Sequence, residues 1–112
     1  MAKGDNLGEF EVLNLAAVCM LGENAYGMTI HERVEELADG TRGVSLGSVY
    51  TTLDRLERKG YVKSWFSDPT PERGGRSKRY FEITAAGEKA LKSSAKVAAN
   101  IMDGLREIGG VV

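Results

Sequence analysis

The stretch that decides the fold is Val44-Ser45-Leu46-Gly47-Ser48-Val49-Tyr50-Thr51-Thr52-Leu53-Asp54-Arg55-Leu56-Glu57-Arg58-Lys59-Gly60. Ser45 is a natural N-cap, because its hydroxyl takes up a backbone N–H left free in the first turn of a helix. From there Leu46, Val49, Leu53 and Leu56 recur at steps of three and four, a narrow inward stripe of helical period. The opposite side carries Gly47, Ser48, Thr51, Asp54, Arg55 and Arg58, with Tyr50 and Thr52 on the flanks. This outer face is small and polar where it begins and basic where it ends. Small residues allow close approach to a groove, and arginines reach phosphates or base edges, so the face suits entry into duplex DNA. Gly60 closes the helix.

Beyond Gly60 the chain has the composition of a hairpin. Residues 61–67 and 78–83 are rich in aromatic and β-branched side chains and read as two strands. Residues 68–76 hold two prolines and two glycines, too long a connection for a tight turn. Arg73, Arg76, Lys78 and Arg79 cluster there, beside glycines that let backbone approach phosphate. The same charges would also protect an exposed sheet edge from aggregation. Thr84 caps a last helix that runs to Ile108, with Gly109-Gly110 beyond it. Tyr61, Trp65 and Phe66 are expected to pack beneath that helix.

Upstream, residues 7–21 form a helix that is apolar nearly all round and so is expected to be buried on several sides. Its Cys19 reads as a small core residue. A second helix starts at Tyr26 or Gly27 and reaches Ala38, with Gly40 as its stop. The turn Thr41-Arg42-Gly43 comes next, and Val44 is placed in a short strand contact. The last helix carries Leu91, Ser94, Ala98, Ile101, Leu105 and Ile108 at alternating three- and four-residue steps. A domain already closed by two helices and a hairpin has no use for this extra stripe. With Leu13 and Met102 it reads as a dimer element, packed against its symmetry mate and the mate's first helix; an intramolecular core is the rival reading.

The 112 residues carry a formal net charge of −1, but unevenly. Residues 1–40 hold two basic and eight acidic side chains, residues 41–80 nine basic and four acidic, and residues 81–112 four of each. The basic excess therefore coincides with the helix and hairpin, and local field governs phosphate attraction because distant charges are screened. No apolar run approaches the length of a membrane span, and the polar start lacks the pattern of a secretory signal. With a single cysteine, a cytoplasmic protein without cofactor is expected. One histidine and one cysteine do not make a first-row metal site. No Gly-x-x-x-x-Gly-Lys phosphate loop is present, and nothing places a nucleophile beside a base, so the chain reads as a non-enzyme.

Three motifs then match a known pattern in order. Leu46-Gly47-Ser48-Val49-Tyr50-Thr51-Thr52-Leu53-x-Arg55-Leu56-Glu57-x-Lys59-Gly60-Tyr61-Val62 resembles the recognition-helix signature of the PadR family of bacterial transcriptional regulators. Arg73-Gly74-Gly75-Arg76-x-Lys78-Arg79-Tyr80-Phe81-x-Ile83-Thr84-x-x-Gly87 is similar to its wing, and Ala25-Tyr26-Gly27-x-x-Ile30 to its motif opening the second helix. The resemblance implies an α+β, mainly helical fold. A winged helix-turn-helix domain would span residues 1–83, with a two-stranded wing, and one carboxy-terminal dimerisation helix would span 84–112. It also implies a homodimer repressing genes from a palindromic operator, with Tyr50 and its neighbours on backbone phosphates. The implied partner is double-stranded DNA. The candidate DNA contacts are Ser45, Gly47, Ser48, Tyr50, Thr51, Arg55, Arg73, Arg76, Lys78 and Arg79. The candidate dimer contacts are Leu13, Leu91, Ala98, Ile101, Met102, Leu105 and Ile108. Longer family members carry several helices after the wing, whereas this chain has one, which leaves less material for an effector pocket. Two rivals fit the same residues: a winged-helix protein-interaction module, and a ligand sensor with its pocket at a dimer interface.

Overall fold

A computed structural model describes residues 7–67 and 77–109. Helix α1, Glu9–Leu21, opens where the Gly8 N–H donates to Glu11 Oε1 at 2.8 Å. Glu9 and Glu11 lie in its first turn, where the helix dipole favours negative charge. A single 3-10 turn, Gly22–Asn24, leads to Ala25 and Tyr26. Helix α2, Gly27–Ala38, ends at Asp39 and Gly40, both with positive φ, 50° and 79°. Helix α3, Leu46–Arg58, is succeeded by strands β1, Val62–Phe66, and β2, Arg79–Ile83, and then by helix α4, Ala85–Ile108.

The strands pair antiparallel with Val62 opposite Ile83 and Phe66 opposite Arg79. Ala25 and Tyr26 extend this hairpin on its outer edge. The Phe81 N–H donates to the Ala25 carbonyl at 2.9 Å, and Tyr26 bridges Tyr80. The core lies between α1, α2, α3 and β2. Leu15, Val18, Ile30, Val34, Val49, Leu53, Leu56 and Phe81 are fully buried there, each contributing about 1.5–3 kcal/mol relative to exposure.

Four expectations are corrected. Trp65 and Phe66 are 46% and 69% exposed instead of lying under the last helix, and Trp65 stacks on Tyr80 at 6.3 Å between centroids. Tyr61 alone of the three is buried. Cys19 is exposed, because the core takes Leu15, Ala17 and Val18 and leaves the far side of α1 open. On α3, Leu46 is exposed and Thr52 buried, so the inward stripe starts one turn later than the spacing suggests. Val44 lies in no strand; its carbonyl instead faces His31 Nε2 at 3.1 Å.

Helix α4 uses only its first turns on the domain. Gly87 is buried, and Ala90 and Leu91 pack against the core. Beyond them Val97, Ile101, Met102 and Ile108 are exposed.

Candidate nucleic-acid interface

The start of α3 is fixed by a reciprocal cap. Ser48 N–H donates to Ser45 Oγ at 3.0 Å, and Ser45 N–H donates to Ser48 Oγ at 3.2 Å. Ser48 Oγ also donates to the Ser45 carbonyl at 2.8 Å. Two orphan donors are satisfied, so the helix begins at a defined residue. The His31 contact to Val44 ties α2 to the turn just before that cap. With Val49, Thr52, Leu53 and Leu56 buried, the helix can present only one side outward. That side carries Ser45, Gly47, Thr51 and Arg55, all exposed, with Ser48 half-buried. A Cβ placed on Gly47 would meet nothing within 4 Å.

Tyr50 leaves this strip for a cleft to one side. Its phenol lies over Gly27, where a Cβ would collide with the hydroxyl and sit 2.6 Å from Cζ. An added Cβ at the start of α2 would push the Tyr50 ring aside. The cleft, 380 Å³, runs between α2, α3 and the hairpin and is lined by Tyr26, Met28, Tyr50, Phe66, Ser77 and Lys78 among others. Lys78 Nζ sits 4.0 Å above the Tyr26 ring, a cation–π contact that holds a positive charge at the rim. Lys78 and Tyr50 are thus brought together beside the α3 strip.

Arg79 is placed differently. It shares the inner face of the sheet with Phe81 and Ile83, and its guanidinium is held by carboxylates of α3. Nη2 lies 3.1 Å from Asp54 Oδ1 and 2.8 Å from Glu57 Oε1, and Nε donates to Ser64 Oγ at 3.3 Å. Arg73 and Arg76 lie outside the described residues.

An ion pair that the sequence did not suggest joins α1 to the end of α3. Lys59 Nζ donates to both oxygens of Glu11, at 3.1 and 2.9 Å. Glu11 is buried. Burial by itself pushes its carboxyl up, but the hydrogen bonds from Lys59 and the Gly8 N–H, with the charges of Lys59 and Arg55, hold it below the usual carboxylate range.

The candidate dimer residues fall in three places. Leu13, Ala98 and Ile101 line an open groove of 840 Å³ between α1 and residues 86–101 of α4, together with Val12, Ala90 and Val97. Met102, Leu105 and Ile108 lie further along α4, and Leu91 is turned to the core. Among the described residues no helix is long and apolar enough to cross a membrane, and no group of three His, Cys, Asp or Glu could hold a metal.

Three packed helices, the third with one polar face open, beside an antiparallel hairpin, define a winged helix-turn-helix protein. Residues 17–93 match the model of the transcriptional regulator PadR-like family, and the chain belongs to that family. Among solved structures it resembles a PadR family transcription regulator from Clostridium difficile R20291, with 22% identity, a TM-score of 0.72, and coverage of 92% of this chain and 100% of that one. A PadR-like transcriptional regulator from Bacillus cereus strain ATCC 14579 matches at 20% identity and a TM-score of 0.70 over 90% and 92% of the two chains. The Aeropyrum pernix ORC1 protein, solved in complex with DNA, is 31% identical with a TM-score of 0.66 over 83% of this chain and 26% of its own. Comparison with curated protein sequences finds no match.

Proposed function

We propose that the chain is a sequence-specific repressor that binds a palindromic operator as a homodimer, by occupying DNA and not by catalysis. The observation that carries this reading is the outer strip of α3. Gly47, Thr51 and Arg55 are exposed on a helix whose other faces are committed to the core, and Gly47 has no packing reason to be glycine. Bases in a major groove would meet Thr51 and Arg55 across that strip. A phosphate lying over the lateral cleft would meet the Tyr50 hydroxyl and Lys78. Dimerisation would cover the exposed apolar face of α4 and the groove beside α1, and set the two α3 helices about 34 Å apart for successive major grooves.

The test is selection of duplexes from a random library by the purified chain, then gel-shift titration of the enriched sequence over a salt series. Arg55→Ala should weaken binding to the enriched duplex by about 1–3 kcal/mol and relax preference at one position if Arg55 reads a base. Enrichment of no sequence, with no binding at low salt, would replace this reading with that of a protein-interaction module.

A further inference from the structure

We propose that Arg79 is a positioning residue that clamps the wing to the recognition helix, and not a contact to phosphate; this rests on the DNA-binding reading above. Three observations carry it. First, strand alternation puts Arg79 on the sheet face that carries buried Phe81, with its guanidinium carbon 4.9 Å from that ring. Second, Nη2 lies between two carboxylates of α3, Asp54 and Glu57, at 3.1 and 2.8 Å. Two negative charges at that range outweigh the one positive charge, so the cluster presents no net attraction to a phosphate. Third, the cluster closes on itself through the other strand: Nε donates to Ser64 Oγ at 3.3 Å, and that hydroxyl donates to Glu57 Oε2 at 2.9 Å.

The geometry has one effect. α3 contributes Asp54 and Glu57, β1 contributes Ser64 and β2 contributes Arg79, so one planar guanidinium joins the helix to both strands, at the end of the strand pair farther from Gly60 and Thr84. The angle between wing and recognition helix is then fixed before DNA arrives, which spares the ordering that a mobile wing would undergo on binding. A lysine carries the same charge but presents it at a single point, without the fork that reaches two carboxylates and a hydroxyl together.

The clamp and the phosphate contact predict opposite results for Arg79→Lys. Under the clamp, Arg79→Lys and Arg79→Gln lose similar affinity for the enriched duplex, roughly threefold to thirtyfold, the range for residues that act without touching the ligand. The slope of log affinity on log salt stays at the wild-type value. Amide hydrogen exchange of the DNA-free protein quickens in β1 and β2 of Arg79→Lys while α1 and α2 keep their protection. Glu57→Gln, which removes a negative charge and would by field alone tighten DNA binding, weakens it instead. Wild-type affinity in Arg79→Lys, with a slope reduced by about 0.9 in Arg79→Gln, would overturn the clamp in favour of one phosphate contact. Unchanged exchange in the hairpin, or tighter binding by Glu57→Gln, would also overturn it. Because exchange is read without DNA, failure of the wild type to select any duplex is a separate result; it would remove the role in DNA binding together with the reading it rests on.

Discussion

Replacing Gly47 with alanine should make this protein more stable and worse at binding DNA. Gly47 is the second residue of α3, after Leu46 and the Ser45 cap, and its φ is not positive. A Cβ there would meet no atom within 4 Å, so neither backbone strain nor packing demands glycine. Alanine restricts the unfolded chain and favours the helix, a gain of about 0.5–1 kcal/mol at a compatible site. For a domain of this size that is about 2–5 °C in Tm, readable by circular dichroism. The open space is where a base edge would approach, and an added methyl there should weaken binding to the enriched duplex by about 1–3 kcal/mol, the scale of one lost base contact. Thermal melts and gel-shift titrations on the same preparation give both numbers. A stabilised variant with wild-type affinity would refute close approach at Gly47. A destabilised variant would refute the premise that the position is free of constraint.

The same substitution at Gly87 should have the opposite sign: a Cβ would collide with the Tyr61 carbonyl oxygen and lie 2.8 Å from Ile83 Cγ1, so Gly87→Ala should lower stability by about 1–3 kcal/mol in urea unfolding. Glu11→Gln removes one partner of the ion pair with Lys59, which keeps about a quarter of its side chain exposed, and should cost about 2–3 kcal/mol at pH 7. Because the folded Glu11 carboxyl lies below its ordinary value of 4.5, its contribution is complete above that pH and fades as pH falls through the lower folded value. The difference between wild type and Glu11→Gln should therefore shrink on acidification, and parallel stability curves down to about pH 3 would count against the pair. Ile101→Glu places a charge on the exposed face of α4. Sedimentation equilibrium should show dimer dissociation raised about a hundredfold or more, since an apolar contact is lost in each protomer, whereas an unchanged mass would move the interface elsewhere.

The helix that matters most is legible because two independent signals agree on it. Ser45 gives its start through a cap, and Val49, Leu53 and Leu56 give its inner face through their period. Leu46 breaks the pattern because it stands at the first helical position, ahead of the turn that the core covers. Helix α1 offers no face at all: apolar residues on every side leave nothing for periodicity to select, and Cys19 falls on the side the core does not use. Trp65 departs from its expected place because strand alternation, and not aromatic character, decides which way it points. It lies opposite Tyr80, and the Lys63–Glu82 pair sits beside it in the ladder at the surface. Alternation also puts Arg79 on the face of Phe81, but its partners Asp54 and Glu57 come from a helix more than twenty residues earlier, a pairing no local rule supplies. The Glu11–Lys59 pair joins residues 48 apart in sequence for the same reason. Local chemistry sets where elements begin and which way they face, and charges find partners only once the elements have packed.

One junction explains how a hairpin can be inserted into the middle of a rigid helical frame. Gly60, at φ 83°, turns the chain out of α3. Its carbonyl accepts a hydrogen bond from Thr84 Oγ1 at 2.7 Å, while the Thr84 N–H donates to the Tyr61 carbonyl at 2.9 Å. The same Thr84 hydroxyl caps α4 by accepting from the Gly87 N–H at 3.0 Å. Gly87 in turn lies against the Tyr61 backbone too closely for any side chain. The end of α3 and the start of α4 are thereby joined directly, and β1 leaves and β2 returns at one point. The direction of α4 relative to α3 is consequently set at Thr84, Gly60 and Gly87, with Ala90 and Leu91 packing on the core, and not by the hairpin loop. If α4 pairs the protomers, the separation of the two recognition helices depends on this junction together with the packing of Ala90 and Leu91 on the core. Under the proposed clamp, the Arg79 cluster would set a second angle, that of the wing. On the proposed reading, spacing between half-sites and contact with their flanks would then fall to different residues of one small domain.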